Sequence, residues 1–305
     1  MIPILGALLP VFGVVVIGII LKRLDFPGRA FWPYADRLTY FVLFPALLIE
    51  KLAQAELNRP ELFPMMGVLA LSIIVVSVLI WVIKPLTRWS NASYSSVLQG
   101  SIRPNTYVGL AGAAALFGPE GLAITAIALA SVIPLVNIIS VFGLAHWVSQ
   151  GPTSVRRVLK RIVTNPLIVG CAVGLLLNFS GVGLPLGLDK LIAIPGQAAV
   201  PMGLLSVGAG LQIRELKQYM APLALSSSAK LLLLPLLAYG LGWALSLEGL
   251  VPGVIVLYSS LPCSVSSYTL AAELGGDKEL VAAIITLQTL LAIITIPLIL
   301  SVTVL

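Results

Sequence analysis

Two polar clusters within apolar surroundings are the parts of this sequence best suited to chemistry. They are Arg103-Pro104-Asn105-Thr106-Tyr107 and Pro262-Cys263-Ser264-Val265-Ser266-Ser267. Each proline removes a backbone donor and clashes with the preceding turn, so we expect a helix interruption at both places. Within a bilayer, freed backbone groups are tolerated only where they line a cavity or are buried in protein. Two interruptions that meet would bring two helix N-termini together, and their partial positive charge and unpaired amides suit an anion such as a carboxylate.

Arg103 carries the clearest functional signal. A permanent charge inside an apolar segment is costly in a membrane, which indicates a functional role, and a guanidinium can hold a carboxylate through two parallel hydrogen bonds. Asn105 offers both a donor and an acceptor, and Tyr107 adds an apolar ring with a polar tip. The predicted substrate-binding set also includes Pro104, Thr106, Pro262, Cys263, Ser264, Ser266 and Ser267. The alternative is that both prolines only kink their helices and that Arg103 pairs with a buried carbonyl.

Lys230 completes the predicted substrate-binding set. It lies near the centre of a third apolar segment, where a lysine usually faces a cavity or a carboxylate. It could neutralise the charge of a substrate or carry a proton. A contact with backbone carbonyls is an equal alternative.

The composition indicates an all-α integral membrane protein. Of the 305 residues, 59% are hydrophobic and only 10% are charged, whereas soluble domains carry about 25% charged residues. The net charge of +6 comes from basic residues that lie mostly between apolar runs, so it favours a membrane protein over a nucleic-acid partner. Cys171 and Cys263 lie inside apolar segments, and His146 is the only histidine. We therefore expect no metal site and no cofactor.

The apolar runs predict ten transmembrane helices, termed spans one to ten. We expect them at about residues 2–21, 32–51, 62–83, 94–117, 121–147, 166–179, 188–213, 220–245, 251–274 and 280–304. The first run is too long for the core of a signal peptide, and we interpret it as span one. About thirteen basic residues fall in loops after odd-numbered spans and about three after even-numbered ones, which places both termini outside the cell membrane.

An internal repeat is predicted from the two interrupted spans. Each is the fourth of five, and a shift of about 158 residues aligns Pro104 with Pro262. We expect a first five-helix repeat at 1–148, a basic cytoplasmic linker at 149–163 and a second repeat at 164–305. The linker holds Arg156, Arg157, Lys160 and Arg161. Because five is an odd number, the two repeats must have opposite orientations.

The segment Ser101-Ile102-Arg103-Pro104-Asn105-Thr106-Tyr107-Val108-Gly109-Leu110, with Leu261-Pro262-Cys263-Ser264, resembles the auxin efflux carrier family. That family includes plant PIN-type auxin carriers and bacterial malate permeases, and the resemblance covers the whole chain. It implies the fold of bile-acid sodium symporters, with broken helices crossing in spans four and nine. It also implies a homodimer, a scaffold of spans 1, 2, 6 and 7, and a transport part of spans 3–5 and 8–10 that moves like an elevator.

Two departures from the plant pattern stand out. The region around Arg156 is short, where plant members carry a long cytoplasmic loop, and Cys263 stands where they have a different polar residue. The second departure puts auxin itself in doubt as the substrate.

The predicted function is a secondary carrier of small organic anions, such as malate or indole acids. One alternative is a sodium-coupled symporter, which the amides of Gln99 and Gln288 could serve. We expect no carboxylate in the middle of a span, which argues against sodium. Another alternative is a membrane sensor of the same anions. An enzyme is disfavoured because no nucleophile with a base and no carboxylate pair lies within the spans.

Overall fold

The computed structural model describes residues 2–56, 59–148, 160, 163–181, 183–184, 187–212 and 217–303. Within these ranges every regular element is a helix. The predicted basic linker at 149–163 lies outside the described residues, except for Lys160 and Val163.

The described residues before the predicted linker form six α-helices, α1 to α6. They are α1 Ile2–Arg23, α2 Phe31–Leu38, α3 Phe44–Ala53, α4 Leu62–Ile83, α5 Asn91–Ile102 and α6 Thr106–Trp147. A π-helical turn, Thr39–Leu43, makes α2 and α3 one continuous rod. The predicted span two corresponds to this rod.

Among the described residues after the linker there are seven more α-helices. They are α7 Pro166–Phe179, α8 Leu188–Gly210, α9 Met220–Ser228, α10 Leu234–Ala244, α11 Val251–Ser259, α12 Ser266–Leu274 and α13 Lys278–Thr303. A second π-helical turn, Ala229–Leu233, joins α9 to α10. Pro235 is the second residue of α10.

The chain is a multi-pass membrane protein by the length and hydropathy of its helices. Six described helices are long and apolar enough to cross a bilayer. Large apolar side chains also cover the outer surface, as at Leu9, Phe63 and Val302, each of which is at least 70% exposed. Such a surface is favourable against lipid and unfavourable against water.

Helix α6 contains one sharp break that separates two of the predicted spans. Gly118 has φ 65° and ψ −158°, a conformation that a residue with a side chain rarely adopts. The break falls between the predicted end of span four at Phe117 and the predicted start of span five at Gly121. The 42 residues of α6 are therefore two helices that meet at a kink.

Helices from the two ends of the chain pack closely through glycines. Gly18 of α1 lies directly against the backbone of Leu205 in α8, and Gly208 of α8 lies against Val15 of α1. In the same way, Gly170 of α7 lies against Pro45 of α3. Small residues let helix backbones approach closely, which is how apolar helices associate in a membrane.

Candidate functional site

The two predicted interruptions exist, and they meet. Helix α5 ends at Ile102 and α6 begins at Thr106, while α11 ends at Ser259 and α12 begins at Ser266. Pro104 and Cys263 form an antiparallel bridge between the two unwound segments. The Asn105 N–H donates to the Pro262 carbonyl at 2.8 Å, and the Ser264 N–H donates to the Arg103 carbonyl at 3.1 Å. The freed backbone groups thus satisfy one another, as burial in a membrane requires.

The bridge defines which residues of the two unwound segments lie opposite each other. Pro104 lies opposite Cys263, the residue that follows Pro262. The two prolines are therefore offset by one residue at the crossing.

Asn105 ends the first unwound segment and caps the helix that follows. Its side-chain oxygen accepts hydrogen bonds from the N–H groups of Tyr107, at 3.1 Å, and Val108, at 3.3 Å. Asparagine is among the preferred residues at this position because its oxygen satisfies amides that have no helical partner. Its buried side-chain nitrogen has no hydrogen-bond partner among the described residues. A buried donor of this kind is costly unless a ligand or water accepts from it.

Arg103 spans the crossing with its side chain. One terminal nitrogen donates to the Asn137 oxygen at 2.9 Å, and the other donates to the Ser266 hydroxyl at 3.0 Å. The Ser266 hydroxyl in turn lies 2.9 Å from that of Ser264. Neither Asn137 nor Ser266 carries a charge. These two hydrogen bonds fix the guanidinium of Arg103 at the start of α12.

A cavity of about 760 Å³ opens beside the crossing. This volume is within the usual range for sites that bind small molecules. Seven of the predicted substrate-binding residues line it, namely Arg103, Pro104, Asn105, Thr106, Tyr107, Ser264 and Ser266. Both half-helices that begin at the crossing, α6 and α12, therefore contribute their first residues to the cavity wall.

The other four predicted residues lie behind the cavity wall. Pro262, Cys263, Ser267 and Lys230 do not line the cavity. The Cys263 thiol lies 3.4 Å from the Ser267 hydroxyl. The Lys230 ammonium is buried and donates to the Ser259 carbonyl at 3.0 Å, at the last residue of α11. Of the two interpretations of Lys230, the contact with a backbone carbonyl is the one that the structure displays.

Gln288 holds the back of the crossing together. Its oxygen accepts from the Cys263 N–H at 2.8 Å, and its nitrogen donates to the Gly100 carbonyl and the Ser226 hydroxyl, each at 3.1 Å. Four elements, α5, α9, the second break and α13, meet at this one amide. The sequence drew attention to Gln288 only as a possible sodium ligand, and here it serves as a fully buried connector.

Sequence reasoning missed several polar residues of the cavity. Asn137 holds Arg103 and is the only amide of the predicted span five, which was a usable signal. Asn165 lies on the cavity and caps α7, since its oxygen accepts from the Leu167 N–H at 2.9 Å. An asparagine directly before a proline and an apolar run is a recognisable helix start.

Two carboxylates also reach the cavity, which the sequence did not predict. Asp36 of α2 and Glu273 of α12 both line it. Asp36 accepts a hydrogen bond from the Tyr107 hydroxyl at 3.2 Å. Both carboxylates lie near the ends of predicted spans, at 32–51 and 251–274, and not in the middle of a span.

Comparison with known proteins identifies the relatives of this chain. Residues 150–300 match the family described as "Membrane transport protein". A protein of Methanothermobacter thermautotrophicus named "Uncharacterized transporter" is 29% identical over 293 residues, which are 95% of each chain. A protein of Rhizobium meliloti named "Putative malonate transporter" is 30% identical over 313 residues, covering 95% of this chain and 93% of the relative.

Proposed function

The chain belongs to the membrane transport protein family, that of the auxin efflux carriers, and from this premise we propose that it is a secondary-active carrier of small organic anions. The observation that carries the proposal is the convergence of Arg103, Asn105 and the first turns of two half-helices on one cavity. Donors fixed in this way stabilise a carboxylate without a metal or a cofactor. One cationic side chain and two helix N-termini match a substrate with one or two carboxylates.

Short dicarboxylates are the first substrates to test. The relative from Rhizobium meliloti is named for malonate, and malonate or malate would fit easily in the volume of about 760 Å³. Indole acids remain in the proposed substrate class, because Phe41 and Tyr40 give part of the cavity an aromatic wall.

The proposed mechanism is alternating access by an elevator movement. In this scheme spans 1, 2, 6 and 7 form a fixed scaffold, and spans 3–5 and 8–10 form the moving part. The packing of α1 on α8 and of α3 on α7 through glycines supports the first grouping. The cavity supports the second, because one side of it comes from α2 and the start of α7, and the other comes from the crossing and α6.

The proposed topology has ten spans in two inverted repeats. It is supported by the breaks at 103–105 and 260–265, which fall in the fourth span of each repeat. We further propose a homodimer in the cell membrane with both termini outside. These features complete the family scheme.

Counterflow in proteoliposomes tests the proposed function. Vesicles containing the purified full-length chain are loaded with unlabelled malonate and diluted into labelled malonate, malate or indole-3-acetate. We expect exchange of at least one dicarboxylate well above that of protein-free vesicles. Replacing sodium with choline on both sides should leave the exchange unchanged. A loss of exchange in choline would instead favour the sodium-coupled alternative. Failure of every carboxylate in the panel to exchange would reject the proposal.

A further inference from the structure

Asp36 is a half-buried carboxylate that shares the candidate anion cavity with Arg103. It forms no ion pair among the described residues. Its hydrogen-bond donor is the Tyr107 hydroxyl at 3.2 Å. Tyr107 belongs to the first turn of α6, so Asp36 is linked directly to a half-helix whose N-terminus faces the anion.

The charged and titratable groups around Asp36 come from several elements. Arg37, on the same helix, lines the cavity, is exposed and lies over the ring of Phe41 at 5.9 Å. Glu273 of α12 is also exposed at the cavity. Tyr40, one turn along the rod, lies close to Asn165 and within electrostatic reach of both Arg103 and Asp36. Helix α8, which packs on α2, carries no titratable side chain between Gly203 and Gly210.

An anion that binds in this cavity faces the negative charge of Asp36. Two like charges that share a cavity with little water repel each other, so the anion binds more tightly when the carboxylate holds a proton. The effect is reciprocal. If a bound proton increases the affinity for the anion, a bound anion increases the affinity of Asp36 for the proton by the same factor. Binding of an anion and binding of a proton are therefore coupled because Asp36 and the anion share one cavity.

We propose that Asp36 is a proton-binding site that couples each transported anion to one proton. An O–H bond forms on an Asp36 carboxylate oxygen with a proton from water on the loading side. The same bond breaks, and the proton returns to water, once the anion has left on the other side. The Tyr107 hydroxyl stabilises the ionised carboxylate in the empty cavity and so favours this release. The inference rests on the proposed function and adds its coupling ion.

The first experiment follows protons directly. Proteoliposomes with the full-length chain carry a trapped pH indicator and are exposed to malonate at about pH 7.5, where its carboxylates are ionised. Potassium and valinomycin hold the membrane potential at zero. We expect the lumen to acidify as malonate enters, in a ratio of one proton to one anion. Net malonate entry without proton movement would overturn the inference and leave the proposed anion carrier intact.

The second experiment assigns the proton to Asp36. With one proton per anion, the wild-type chain should concentrate malonate by up to about tenfold for each unit of imposed pH difference, acid outside. Asp36→Asn should abolish this dependence and bring the ratio of acid-driven uptake to uptake at equal pH close to one. Asp36→Glu keeps a titratable group and should retain a ratio above one. Asp25→Asn is the matched control, because Asp25 is exposed and away from the cavity.

The results for the two Asp36 variants either support or overturn the assignment of the proton to Asp36. An Asp36→Asn protein that still concentrates malonate like wild type would overturn the assignment. If Asp36→Asn does not fold, the Asp36→Glu ratio decides the assignment. A ratio for Asp36→Glu that matches wild type in size but is displaced along the pH axis supports the proposal, because only the titrating group itself moves the pH profile. An Asp36→Glu profile that superimposes on wild type would overturn it.

Discussion

The guanidinium of Arg103 donates to the Ser266 hydroxyl at 3.0 Å and so joins the end of α5 to the start of α12. This bond links the two broken spans through side chains, beside the backbone bridge that links them through the main chain. It also fixes a permanent charge at the meeting point of two helix N-termini. Any displacement of one half-helix relative to the other must change the position of this charge.

Replacement of Arg103 should strongly weaken anion binding, with little effect on folding. Arg103→Gln removes the charge and at least one of the bonds to Asn137 and Ser266. Since hydrogen bonds to charged groups contribute about 1.5–3 kcal/mol each, we expect malonate affinity to fall by about 100-fold. Arg103→Lys should not rescue it, because an ammonium lacks the planar fork that reaches both partners. Counterflow and thermal unfolding of the purified proteins measure the two effects.

Arg29→Gln is the control for this prediction, because Arg29 is exposed and its ion-pair partner among the described residues is Asp25, at 3.7 Å. Its exchange should equal that of wild type. Undiminished exchange by a folded Arg103→Gln protein would remove Arg103 from the site.

Gly100 lies where the structure has no room for a side chain. A methyl group there would press on the Ser226 hydroxyl and come within 2.7 Å of the Ile284 side chain. Overpacking of this kind costs about 1–3 kcal/mol, so Gly100→Ala should lower the melting temperature in detergent. Gly240→Ala is the control, since nothing lies within 4 Å of its added methyl. Equal melting temperatures for the two variants would contradict the close packing behind the crossing.

Proline chemistry predicted the breaks, but not how they pair. The missing N–H of Pro104 and Pro262 is a local property, and it placed both interruptions correctly. Whether Pro104 lies opposite Pro262 or Cys263 depends on how two distant helices meet, and an apolar sequence aligns almost equally well in either register. The bridge settles the pairing at Cys263.

Lys230 and Asp36 show why the cavity wall was harder to predict than the breaks. Lys230 lies in the π-helical turn Ala229–Leu233, whose wider winding rotates the side chains that follow relative to a regular helix. Asp36 lies near a predicted span boundary, where an acidic residue ordinarily faces water. Only the packing of α2 beside the crossing brings it to the cavity.

Lys230 should be dispensable for recognition of the anion. Its ammonium contacts the Ser259 carbonyl and does not reach the cavity. We expect Lys230→Met to change the apparent malonate affinity by less than about twofold, because methionine fills a similar apolar volume and no substrate contact is lost. Concentration-dependent counterflow gives this affinity. A loss of about tenfold or more in a folded protein would return Lys230 to the substrate-binding set.

Gln288 should contribute stability to the crossing as a whole. Gln288→Leu leaves the Cys263 N–H, the Gly100 carbonyl and the Ser226 hydroxyl without this partner. Each buried polar group left unsatisfied costs about 1–3 kcal/mol, so we expect a clear drop in melting temperature and poorer recovery from the membrane. Gln54→Leu, at an exposed position that follows α3, is the control. Wild-type stability for Gln288→Leu would show that the amide does not hold the crossing.

Tyr107→Phe removes the hydrogen bond of Tyr107 to Asp36 and keeps the packing of its ring. The ring of Tyr107 stacks on Phe44 with centroids 4.6 Å apart and an angle of 5°, and phenylalanine preserves that stack. Only the hydroxyl that donates to Asp36 is lost, which costs about 1 kcal/mol or less and should leave the fold intact. If the hydroxyl stabilises the ionised Asp36, its removal lets the carboxylate keep its proton to higher pH. The acid-driven uptake of malonate should then persist to higher pH than in wild type. Uptake measured across a pH series at a fixed pH difference gives the midpoint, and a midpoint equal to wild type or displaced toward acid would show that this hydrogen bond does not set the proton affinity of Asp36.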